Sequence, residues 1–552
     1  MRISFLSSLL FVCLLFLAAC HKIPEHANYI PSDAQMVASI DLNKMGKKLL
    51  WNALTGSELF KEMMKKVKNE SSKSAMKNLS TIGLKQNSNV FLFSVKQANS
   101  GNMACALAGM DNKATFEKFI QTNYAGKTIN NKTKYAYCKI EEGLLAAWNN
   151  DVAFFFPLPG GNLSSADSMY MPPTTINAEN EIIGQLENYF SLQSEKSLTS
   201  NSHFKDLLKE EHDVCVWANY EAIFDDYGAA AGNPMLKKDY FKDAALATGI
   251  DFEKGEINAV MDYFMSKEMA DIYRKNPPKN LDGDMIQHIP SDKIAFLAGY
   301  QLNVKMVQDY LKHFGMDGLV NMGLGLMGTS IDQIGTAFKG DMIFAVTDVK
   351  KKDTSNASPY DSFAYNGPDM NFTMALKNGD KSAVENLLSV GVKKEILSKN
   401  GNHYTMNENE GKGDMILSDD YLVYSTNASY ANAFASGSAK KESGLPSEIK
   451  KQFSSNPMSL YMNINQVINA VDMDGDTPEE KEFIQQLKTM FTYAEMHGGQ
   501  MKKSATHMEG KIDMSNKNEN ALIQLLNLGM LAKKATDSKS TTEIPADSNL
   551  VQ

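Results

Sequence analysis

Tryptophan occurs three times and cysteine five times in 552 residues. So little cysteine excludes a small scaffold built on disulfides. No cluster of Lys and Arg stands out, and the formal charge is −9. Phosphate backbones are bound by concentrated cations, so nucleic acid is not an expected partner. No Gly-x-Ser-x-Gly elbow occurs, which removes the usual signature of one large hydrolase class. The nine histidines (21, 26, 203, 212, 288, 313, 403, 497 and 507) are scattered without metal-ligand spacing, which counts against zinc. What is present is ordinary for a folded chain: 43% hydrophobic and 22% charged residues. Length alone suggests roughly three or four domains.

The first twenty residues are the most informative. Arg2 supplies a positive charge, and Ile3 to Leu17 form an apolar run too short for a comfortable membrane span. Leu17-Ala18-Ala19-Cys20 then resembles the bacterial lipobox, in which the cysteine is acylated and becomes the mature N-terminus. The reading is a signal peptide over 1–19, a lipidated linker over 20–28, and Cys20 as the lipidation site. Multiple acyl chains on Cys20 would be the membrane attachment, since one chain alone anchors only marginally. Export leaves Cys105, Cys138 and Cys215 in an oxidising compartment. Cys105 and Cys138 lie in strand-like runs, so they are candidates for a disulfide if those strands are neighbours.

Internal similarity organises the rest. Ile30-Pro31-Ser32-Asp33 recurs as Ile289-Pro290-Ser291-Asp292, each followed by an apolar strand closing on Leu42-Asn43 or Leu302-Asn303. Later segments repeat in the same order. Phe116, Phe119 and Ile120 match Val384, Leu387 and Leu388 as helical stripes. Two three-strand meanders follow, beginning near Tyr135 and Tyr404. The pattern predicts an α+β fold of two tandem similar halves, 29–280 and 288–532, each a mainly antiparallel sheet with packed helices. A polar tail over 533–552 reads as disordered. Thr373, Thr405 and Ser459 stand where the first half has Cys105, Cys138 and Cys215, which favours packing roles over a reactive thiol.

Several motifs offer chemistry. Asp472, Asp474 and Asp476 alternate as carboxylates do at the start of an EF-hand loop, which makes Ca2+ a candidate cofactor. The loop then departs from that pattern, with Thr477 in place of the turn glycine and Phe483 in place of the last glutamate. Thr477, Pro478 and Glu480 instead fit a helix capping box, the reading favoured here. Gly323-Leu324-Gly325-Leu326-Met327-Gly328 matches a dinucleotide pattern but follows no strand, so a turn or a close helix contact is expected. Trp148 and Trp217 read as core, not sugar platforms. Of 33 methionines, Met306, Met316, Met322 and Met327 cluster, a composition suited to core filling or to an adaptable groove. Asp167-Ser168-Met169 resembles a short O-glycosylation acceptor, with Ser168 as the acceptor.

With the lipobox, the repeated Ile-Pro-Ser-Asp and the strands ending in Leu-Asn in hand, the chain resembles the Bacteroidetes envelope lipoproteins grouped as domain of unknown function 4836. The likeness runs from Ala27 to Leu528 and implies location and architecture but no catalytic residues. No acidic run follows Cys20, so by the same analogy the periplasmic face of the outer membrane is favoured over the cell surface. The expected function is a lipid-anchored, non-enzymatic binding or scaffolding protein. Its partner would be an unknown envelope protein, a glycan or a small apolar ligand. The alternatives are an envelope enzyme whose site is assembled from distant residues, and a calcium-stabilised surface adhesin.

Overall fold

The computed structural model describes residues 23–48, 55–56, 60–61, 78–97, 101–141, 143–158, 178–227, 238–351, 368–406, 413–438, 444–471, 473 and 475–542. The fold is α+β, and all its strand pairings quoted below are antiparallel. The chain divides into two compact units. One comprises Met1–Thr55, Lys61–Asp226 and Ala245–Ile250; the other comprises Gly56–Phe60, Tyr227–Ala244 and Asp251–Gln552.

The first unit carries β1 (Met36–Asp41), β2 (Asn89–Gln97), β3 (Gly101–Gly109), β4 (Asn130–Asn131), β5 (Ala136–Glu141), β6 (Leu144–Trp148), β7 (Val152–Pro157), β8 (Val214–Asn219) and the start of β9 (Ala245–Glu253). Their bonded order is β9-β8-β1-β2-β3-β7-β6-β5-β4. Helix α1 (Lys113–Asn123) starts where the Asn112 side chain accepts from the Thr115 amide, and it buries Phe116 and Ile120. Those two rings and chains meet Cys138, Ala146 and Trp148 in the core beneath. Helix α2 (Ala178–Phe190) adds Tyr189 and Phe190, whose rings pack on Phe154.

The second unit carries β10 (Glu256–Phe264), β11 (Ile294–Gln301), β12 (Phe338–Lys350), β13 (Asp369–Asn378), β14 (Leu397–Asn400), β15 (His403–Met406), β16 (Asp414–Leu417), β17 (Tyr421–Ser425), β18 (Met458–Met462), β19 (Phe491–Lys502) and β20 (Ala505–Met514). Their order is β10-β20-β19-β18-β11-β12-β13-β17-β16-β15-β14. Its helices include α3 (Asp317–Leu326), α4 (Lys381–Lys393), α5 (Ser447–Ser455), α6 (Pro478–Met490) and α7 (Ala521–Thr542). Asp380 caps α4 by accepting from the Ser382 and Ala383 amides, and Val384 and Leu388 are buried as Phe116 and Ile120 are on α1.

The registers correspond between the units. Ser39 lies opposite Phe91 and Cys215, as Gly299 lies opposite Ile343 and Ser459. Leu107 faces Phe91 and Phe154, as Ala375 faces Ile343 and Val423. Thr373 and Ser459 accordingly hold the places of Cys105 and Cys215. Cys138 faces Ala146, and its place is held by Tyr404 facing Met415, one residue before the expected Thr405.

Four expectations change. Cys105 and Cys138 are free thiols, both buried, so the proposed disulfide is absent. Their strands are three steps apart in the order β3-β7-β6-β5, about 14 Å at the usual strand spacing, twice what a disulfide spans. They also point to opposite faces, because the residue sharing Cys138's row is Ala106, the neighbour of Cys105. Second, the tail is helical as far as Thr542, not disordered from 533. Ala535 is buried, Lys533 pairs with Asp537 at 2.6 Å, and the Ser538 hydroxyl meets Thr477 at 2.9 Å. Third, Gly323 and Gly325 lie inside α3, where a Cβ would meet nothing within 4 Å; only Gly328, at φ +80°, makes a turn. Last, β10 belongs with the second compact unit although the repeat assigns it to the first half, because it pairs along its length with β20.

Candidate functional site

Of the residues singled out in the sequence, Cys20, Ser168, Asp472 and Asp474 lie outside the described residues. Asp476 is described, and its amide donates to Glu480 Oε2 at 2.6 Å. Thr477 is the N-cap of α6, its hydroxyl accepting from the Glu480 amide while the Glu480 carboxylate accepts from the Thr477 amide. This capping box turns the Glu480 carboxylate back onto backbone amides at the positive end of the helix. Trp148 and Trp217 are core residues.

The most unusual surface is α3. A helix normally turns its apolar stripe inward, yet Leu319, Met322, Leu326 and Met327, spaced i, i+3, i+7, i+8, are 51%, 62%, 77% and 53% exposed. No residue of α3 is buried, and from Gly318 to Gly328 the chain has no charged side chain. The helix is held at its end by Lys394, whose ammonium donates to the Leu326 carbonyl at 2.8 Å, and by Gly328 lying against Val390. A cavity of 240 Å3 opens beside that end, lined by Gly328, Asp332, Gln333, Thr336, Ala383, Asn386 and Leu387. The expected core role holds for Met306 and fails for Met322 and Met327.

The second cluster is a ladder of carboxylates and imidazoles across β10, β20 and β19. Asp262 lies opposite His507, and Glu509 lies opposite His497. His507 presents Nδ1 to Asp262 at 2.7 Å and Nε2 to Glu509 at 3.0 Å. His497 presents Nδ1 to the buried Glu495 at 2.9 Å and Nε2 toward Glu509 at 3.9 Å. Lys502 also reaches Glu509, at 3.6 Å. Three of the four ring nitrogens are within hydrogen-bond distance of a carboxylate, and His497 Nε2 is in ion-pair range of Glu509 only. The arrangement gathers charges of both signs on the sheet face.

The Glu495 hydrogen bond raises the His497 pKa against the opposing effect of burial, and the Glu509 and Glu448 charges add to the rise. A raised imidazole value stabilises the fold fully below the unfolded value near 6.5, and that contribution is lost as pH rises through the folded value. The His507 hydrogen bond lowers the Glu509 pKa, so its contribution is present above the unfolded value and lost as pH falls through the folded one. His497→Gln is therefore expected to flatten the fall in stability as pH rises above the ordinary imidazole value near 6.5. Urea unfolding at stepped pH checks this, and native and variant profiles that run parallel there would contradict it.

The sequence reading missed both features. The ladder had a signal, the mirror-image tripeptides Glu495-Met496-His497 and His507-Met508-Glu509 on either side of a turn. Among the described residues no group of three or more His, Cys, Asp and Glu side chains is arranged to hold a metal ion. No described helix is long and apolar enough to cross a membrane.

No curated protein matches this chain. Among solved structures, crystal forms IV and III of TP0453 match with TM-scores of 0.24 and 0.25, both at 9% identity. They cover 46% and 47% of this chain and 85% and 89% of theirs, a likeness too slight to carry an argument. A family model matches residues 26–307, a shorter extent than the expected Ala27 to Leu528 but just over half of the 552 residues. On that match the chain belongs to the family described as Domain of unknown function (DUF4836).

Proposed function

We propose that this is an envelope lipoprotein of the Bacteroidetes kind, held through Cys20 on the periplasmic face of the outer membrane, whose work is to bind another envelope protein. The observation that carries the binding is the outward apolar stripe of α3. Burying one such side chain stabilises a complex by about 1.5–3 kcal/mol. A projecting helix face suits a protein groove, since small ligands are held in concave sites. Methionine at two of the four positions lets the surface adapt to a partner.

Two measurements test this reading. Metabolic labelling with a fatty-acid analogue should mark the native chain and leave Cys20→Ser unlabelled and released from the membrane fraction; equal labelling would contradict the anchor. In mild detergent the native chain should migrate well above the position of its mature monomer, and Met322→Asp should restore the monomer position. Monomeric migration of the native chain would contradict the binding role.

A further inference from the structure

A polar cleft of 730 Å3 in the first unit is walled by the single 3₁₀ turn Glu25–Tyr29 and by Lys85, Met110, Asn150, Asp151 and the chain just after α2. Its charged groups are of both signs. Lys85 and Glu25 are exposed there, and neither has an ion-pair partner among the described residues. Asp151 accepts from the Tyr29 hydroxyl through Oδ2 at 3.0 Å, and its Oδ1 has no hydrogen-bond partner among the described residues. His26 is buried at the back, its Nε2 paired with the Asn89 carbonyl at 2.7 Å. Gly109 leaves room there for the Lys85 stem, which would lie 2.9 Å from a Cβ at that position.

We propose that this cleft binds a zwitterionic phosphoethanolamine headgroup, with Lys85 on the phosphate and Asp151 and Glu25 on the ammonium. A ligand bearing one sign of charge would meet either a lysine or two carboxylates of its own sign; one bearing both meets partners for each. A primary ammonium donates hydrogen bonds to carboxylates, whereas a trimethylammonium needs open aromatic faces. Phe190 offers none, being buried and stacked on Tyr135 at 4.8 Å, which leaves Tyr29 as one lining ring, short of the aromatic cage such a group needs. Position supplies the source of the ligand. If Cys20 is acylated, the five residue steps from it to Glu25 span at most about 17 Å, so the wall of the cleft stays close to the headgroup layer. That placement rests on the lipid anchor proposed above; the cleft's chemistry does not.

The test is saturation-transfer NMR with the full mature chain and water-soluble glycerophosphoethanolamine, with glycerol 3-phosphate, inorganic phosphate, ethanolamine and glycerophosphocholine alongside. The expected result is saturable binding of the first, at least roughly tenfold weaker binding of each of the others, and a loss of about tenfold in Lys85→Glu and in Asp151→Asn. Lys85 and Asp151 are exposed, so both variants should fold, which far-ultraviolet circular dichroism checks. Absence of binding, or binding unchanged by both substitutions, overturns the proposal. Glycerol 3-phosphate or inorganic phosphate binding as tightly as the whole headgroup overturns the zwitterionic assignment. The mass of the N-terminal fragment from cells reports the anchor separately: an unacylated Cys20 beside intact headgroup binding removes the membrane as source while the cleft's chemistry stands.

Discussion

Trp148→Ala should cost about 3–5 kcal/mol, the range for truncating a fully buried aromatic. Trp148 has no exposed surface, and its ring meets Phe116 edge to face with centroids 5.3 Å apart. Its indole Nε1 donates to Glu117 at 3.1 Å, which ties β6 to α1 through a second contact. Ala153, Ala146 and Cys138 surround it with small side chains that cannot grow into the cavity left behind. Hydrogen exchange by mass spectrometry localises the effect. Amides of β5, β6 and β7 should lose protection by two or more orders of magnitude, while those of β16 and β17 keep theirs. Were Trp148 a sugar-stacking platform, alanine would leave exchange unchanged and weaken only glycan binding, and that result would contradict its place in the core.

Much of this fold was legible because the signals are local. Asn112 before α1 and Asp380 before α4 are side-chain caps that mark where each helix starts. The two meanders, β5 to β7 and β15 to β17, begin within one residue of the expected Tyr135 and Tyr404, since turns and alternation determine them. Which strands become neighbours is not a local property. Cys105 and Cys138 look like a pair until β7 and β6 are found between them.

The ladder was hidden for a subtler reason. Counting back from the turn, Gln500 faces His507, and three further regular steps would put His497 opposite Gly510. Gly498 and Gly499, at φ +141° and +90°, form a bulge that inserts one residue and brings His497 opposite Glu509 instead. A slip of one residue moves every later side chain to the other face, so the cluster exists only if the bulge does. The α3 stripe was hidden by the opposite fault: its spacing reads as a buried face, and the sequence does not say that no other element covers it.

Met322→Asp together with Leu326→Asp should leave folding stability within about 0.5 kcal/mol of native, because both side chains stand in solvent. The same pair should weaken partner binding by at least about a hundredfold. Each substitution removes roughly 2 kcal/mol of apolar burial and forces a carboxylate into an apolar interface. A large effect on binding with almost none on unfolding is what separates a contact surface from a core face. If the stripe were core, the pair would unfold the second unit.

The most direct test places a photoreactive residue at position 322 or 326 in intact cells, with position 118 on the exposed side of α1 as control. Discrete protein adducts from 322 and 326, absent from 118, are the predicted result. Adducts indistinguishable from the control, or containing lipid alone, would contradict a protein-binding role for α3.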